Sequence, residues 1–222
     1  MKTFKEIRDY AMEMYAAIAT EQEKHTDAMQ KLKDSGKYNE AFLKKMQDDY
    51  AKGFSDALKD AVGEFRDMVK DTCNGKREAI EKMLIEAPSN DQMNLLNSLK
   101  LQGTDIEPDE VRSIAAQLMD NYRSIHALEV IAADAGIRLS FPAQYDYQEL
   151  KKALNRTEAY LNDRIRDIGN FTDRLHMDFF SKMFFGAWDG GLLMDDNAYQ
   201  ADAALLDSNK QIAPVPVVEK IQ

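Results

Sequence analysis

At 222 residues the chain has room for one large domain or two small ones, and its 44% hydrophobic residues, with ten Phe, nine Tyr and twelve Met, suffice for a sizeable core. Charged residues reach 31% and the net charge is −10, which suits long solvated helices and argues against a phosphate-neutralising surface, so nucleic acid is not an expected partner. The lone cysteine, Cys73, allows no intrachain disulfide, and no run approaches the roughly eighteen apolar residues a membrane span requires, so no membrane partner is expected.

The charge is unevenly spread. Residues 1–87 carry 16 Lys and Arg against 18 Asp and Glu, whereas residues 88–150 carry 4 against 10 and residues 185–222 carry 2 against 6. Glu6, Arg8, Asp9 and Glu13 interrupt any apolar leader, so a signal peptide is not expected and the compartment is read as aqueous and reducing.

In chain order, Thr3 and Glu6 make a capping box ahead of Phe4, Ile7, Ala11, Met14 and Ile18. Spacings of three and four put these five on one helical stripe, the seam of a coiled coil. His25, with Glu21, falls on the same seam, where a polar residue sets register or partner number. Asp34-Ser35-Gly36-Lys37 then reverses the chain. The second helix carries Tyr38, Phe42, Met46, Tyr50, Phe54, Leu58, Val62, Phe65 and Val69. Their spacing of nearly four drifts around the axis relative to a 3.5 repeat, so one pairing cannot bury both stripes and further helices or another copy must cover the remainder. A long antiparallel, coiled-coil-like hairpin is predicted over 1–75, with Asn74-Gly75 breaking or kinking it.

A shorter helix then continues to Ala87, where Pro88 ends it. Ser89 and Gln92 cap a helix closing at Gly103, and Pro108 opens another predicted to run unbroken to Ala135, with Gly136 as its stop. Residues 76–140 read as an acidic helical subdomain. Phe141-Pro142 is a linker. A helix from Asp146 or Tyr147 carries Leu150, Leu154, Leu161 and Ile165 and leads into an aromatic cluster with Phe180, Phe184, Phe185 and Trp188, so that 141–190 form a C-terminal helical segment. Residues 191–222 read as mostly extended tail, ending in Pro214, Val215, Pro216 and Val217. The predicted class is all-α: the hairpin, a smaller helical bundle and an extended C-terminal tail.

Chemistry is sparsely written. A four-helix di-iron site needs Glu-x-x-His pairs, and His25, His126 and His176 supply none. Phosphate-binding, dinucleotide, nucleophile-elbow and zinc spacings are all missing. Asp189-Gly190-Gly191 and Asp195-Asp196-Asn197 lack the spacing of a calcium loop. No catalytic residue, metal site or cofactor is therefore expected, and the chain is read as a non-enzyme. The aromatic cluster and the Pro-Val tail are the candidate docking elements, since Trp and Phe are favoured anchors at interfaces.

The stretches Leu96-Asn97-Ser98-Leu99-Lys100-Leu101, Ile106-Glu107-Pro108-Asp109-Glu110 and Asp120-Asn121-Tyr122-Arg123-Ser124-Ile125-His126-Ala127-Leu128 through Ala135-Gly136-Ile137 resemble a pattern in helical proteins encoded among the head and structural genes of tailed bacteriophages. The resemblance covers about residues 1–137. It implies a non-catalytic virion protein, minor or capsid-associated, assembled in the host cytoplasm. Its expected partners are capsid, portal or tail proteins and further copies of itself in a homo-oligomer. Two other readings fit the same sequence: a transient assembly scaffold or chaperone, and a cytoplasmic helical regulatory or ligand-binding module.

Overall fold

A computed structural model describes residues 2–178, 197–208 and 216–220. The described residues are mostly helical, with seven α-helices and two short strands. The helices are α1 (Phe4–Asp34), α2 (Glu40–Ile85), α3 (Asn90–Gln102), α4 (Pro108–Leu118), α5 (Tyr122–Asp134), α6 (Tyr147–Asp178) and α7 (Asn197–Asp207). The strands are β1 (Ile137–Ser140) and β2 (Val217–Lys220).

The chain forms two compact units, each assembled from separated segments. One comprises residues 1–73 and 156–201, the other residues 74–155 and 202–222.

In the first unit, α1 begins at the expected capping box: the Thr3 hydroxyl accepts from the Glu6 amide at 3.1 Å and the Thr3 amide donates to the Glu6 carboxylate at 2.7 Å. Past the end of the helix Gly36 takes φ 63°, a left-handed value that favours glycine. Phe4, Ile7, Leu58, Val62, Phe65 and Val69 are buried. The Tyr10 hydroxyl donates to Glu64 at 3.2 Å and its ring stacks on Phe65, while the Tyr50 hydroxyl donates to the Glu21 carbonyl at 3.2 Å. From α7, the Tyr199 hydroxyl donates to the Phe4 carbonyl at 3.2 Å and its ring packs on Tyr160 of α6.

The second unit holds a core of Leu96, Leu99, Val111, Ile114, Leu118, Leu128, Ala132, Ile137 and Val218, contributed by α3, α4, α5 and both strands. β1 and β2 pair antiparallel, with Leu139 opposite Val218 and Arg138 opposite Glu219.

Three expectations are corrected here. Asn74-Gly75 does not break the helix: α2 continues through it from Glu40 to Ile85. A helical glycine costs only about 1 kcal/mol, and the flanking burial of Thr72, Cys73 and Ile80 outweighs that. The single helix predicted over 108–135 is two, because Asn121 leaves the helical region (φ −129°, ψ 115°) and caps α5 by accepting from the Ser124 amide at 2.9 Å. The region read as mostly extended tail contains α7, whose Tyr199, Ala203 and Leu206 recur at helical spacing and are buried.

Candidate functional site

The seam residues come first. Phe4, Ile7, Ala11 and Ile18 are buried and Met14 is half-buried within a single copy. One chain thus already covers most of the stripe that the sequence offers for oligomerisation. Among the described residues of the first unit, the large apolar side chains left open are on α2 and just before it, where Tyr38, Phe42 and Met46 are 43%, 45% and 37% exposed. Tyr38 and Phe42 stack on each other with ring centroids 5.0 Å apart.

The sequence carried this signal in its spacing. At about 100° per residue, each step of four advances an apolar position by roughly 40° around the axis. From Phe42 to Leu58 that is nearly half a turn, enough to carry the stripe from solvent at Phe42 to 3% exposure at Leu58. The spacing was legible; which end would face outward was not.

His25 sits where that stripe changes character. Its ring lies flat on Tyr50, centroids 3.5 Å apart and planes 1° from parallel, and Tyr50 stacks in turn on Phe54. Burial holds the His25 imidazole below its ordinary pKa, with Glu21 acting in the opposite sense. Burial, reinforced by Glu21, pushes the Tyr50 phenol up to about 12. The result is a neutral aromatic layer.

A second polar arrangement escaped sequence reading beyond its cap. Gln92, Asn121 and Ser124 are buried among the second unit's apolar residues. The Gln92 amide group donates to Asp120 at 2.5 Å, Asn121 donates to the Glu86 carbonyl at 3.2 Å, and the Ser124 hydroxyl donates to Gln92 at 3.4 Å. These bonds tie the chain just past α2 to the start of α3 and to the α4–α5 junction. A cap is visible in a sequence; a partner 28 or 35 residues away is not.

His126 is exposed and faces Glu129 at 3.3 Å on its own helix. Among the described residues no cluster of three or more His, Cys, Asp or Glu is arranged to hold a metal ion, and no helix is long and apolar enough to cross a membrane. Of the expected docking residues, Phe180, Phe184, Phe185, Trp188, Pro214 and Val215 lie outside the described residues. Pro216 is buried and Val217 is exposed at the start of β2. No protein-family model, curated protein or solved structure matches the chain.

Proposed function

We propose that this protein is a non-catalytic structural component of a large assembly, a minor or capsid-associated protein of a tailed-phage virion. In this reading α1 and the first part of α2 form an antiparallel, coiled-coil-like hairpin, and the hairpin's exposed aromatic stripe holds a neighbouring protein. The observation that carries it is the stripe itself. Tyr38, Phe42 and Met46 are left open to solvent just before and at the start of a helix that buries Leu58, Val62, Phe65 and Val69 further along, and large apolar side chains grouped on one exposed face mark a contact surface. The resemblance of residues 1–137 to phage structural-gene products supplies the kind of assembly. The aromatic cluster and the C-terminal tail serve the same reading as further docking elements, with a capsid, portal or tail protein as partner.

Gentle purification of the native complex, followed by mass spectrometry of its components, tests this. Co-purification with a particle protein in fixed proportion is the expected result, and a Phe42→Asp variant should lose it. Recovery of the wild-type chain alone as a monomer would overturn the assembly role.

A further inference from the structure

The tail strand β2 occupies a site with defined chemistry. It packs on β1 and α4. Val218 is buried with Leu139 opposite it, and Glu219 stands in register with Arg138. Pro216, also buried, precedes the strand; its ring fixes an extended entry and removes one donor. The β1 edge therefore accommodates an extended segment of the form Pro-x-Val-acid: one apolar side chain into the core, one acidic residue in register with Arg138, and main-chain hydrogen bonds for the rest.

The segment that fills this site is separable from what anchors it. Upstream, Lys76 fixes the end of α7 by donating to the Leu206 carbonyl at 2.6 Å and pairing with Asp207 at 3.3 Å. Between Asp207 and Pro216 stand eight residues of chain. Apart from Val218, the members of the core beneath β2 come from residues 96–137, so the acceptor is built without the tail. A strand from another copy would make the same contacts as the chain's own. Choice between the two is then set by concentration rather than by contact energy. A partner tethered through a short segment has an effective concentration of about millimolar, and copies packed side by side in an assembly match that.

We propose that the β1 edge is a strand-acceptor site, and that its second ligand is the Pro216–Lys220 strand of a neighbouring copy, exchanged when copies are held close. This rests on the assembly reading above, because only an assembly supplies neighbours at that density.

The test uses full-length chains. Ser140 and Val217 are paired positions, and paired strand positions bring Cα atoms about 4.5–5.5 Å apart, within disulfide range. A double variant, Ser140→Cys with Val217→Cys, reports pairing within one chain. A mixture of the two single variants reports pairing between chains, with the 140–217 disulfide located by mass spectrometry and the unsubstituted chain as the oxidation control. The expected result is a same-chain disulfide in the double variant and an interchain 140–217 disulfide in the mixture, its initial yield rising about tenfold for a tenfold rise in concentration. Val218→Asp on the chain carrying Val217→Cys should cut that yield at least about tenfold.

Same-chain disulfide with no interchain product above a mismatched pair, Ser140→Cys with Ala57→Cys, would overturn exchange and leave virion membership untouched. Absence of both products would overturn the β1–β2 acceptor itself. Failure of the assembly reading shows separately, as the chain purifying without particle proteins.

Discussion

The ionisation of His25 bears on stability near neutral pH. Its imidazole lies flat against Tyr50 and is held below its ordinary pKa by burial. The folded state therefore takes up a proton less readily than the unfolded state. That contribution to stability is complete above the ordinary histidine value of 6.5 and is lost as pH falls through the depressed folded value. We expect the thermal midpoint to drop between pH 7.5 and pH 5, and His25→Phe, which keeps a stacked ring, to flatten that drop. Equal slopes in the two proteins would refute the assignment. Two glycines make an opposed pair at the same scale. Gly136 has φ 72°, so Gly136→Ala should cost about 1–2 kcal/mol. Gly53 lies inside α2 with nothing within 4 Å of a would-be Cβ, so Gly53→Ala should add about 0.5–1 kcal/mol. Urea unfolding of both variants checks the sign of each.

Elements show where a one-dimensional reading succeeds and where it stops. The capping boxes at Thr3 and Ser89, the glycine after α1 and the start of α6 at Tyr147 were all legible, because each is fixed by residues three or four apart. Ser89→Ala should therefore cost about 1 kcal/mol by removing a cap that the fold uses as the sequence writes it. Asn121 defeated the same logic. The apolar stripe Val111, Ile114, Leu118, Ile125 and Leu128 keeps helical spacing across the break, so periodicity joined two helices that a buried capping side chain separates. The short sheet was illegible for a different reason: β1 and β2 become strands only by meeting each other, and Ile137 pairs with a residue near the other end of the numbering, Lys220. The candidate surface was legible in part. The drift of the α2 stripe could be read from its spacing, but the burial of Phe4, Ile7 and Ile18 within one copy could not.

For the molecule as a whole, exposed and buried apolar positions on the same helix should respond differently to substitution. Phe65 is fully buried in the first unit, so Phe65→Ala should destabilise by about 3–5 kcal/mol. Phe42→Asp, at a 45% exposed position whose ring stacks on Tyr38, should cost no more than about 1.5 kcal/mol while abolishing association with particle proteins. Calorimetry alongside co-purification separates the two effects. A Phe42→Asp chain that unfolds as readily as Phe65→Ala would mean that the stripe stabilises the fold and is not a surface held for others.

The discontinuity of the two units sets an order of events on the ribosome. Residues 74–155 can gather their apolar core while the next stretch of chain is still being made. Residues 1–73, though synthesised first, must wait for residues 156–201 to complete their unit. Phe4 receives its hydrogen bond from Tyr199, 195 residues later. Throughout that interval the Phe4 carbonyl lacks its Tyr199 partner. Residues 1–73 thus finish folding later than residues made after them, and stay incompletely packed while translation continues.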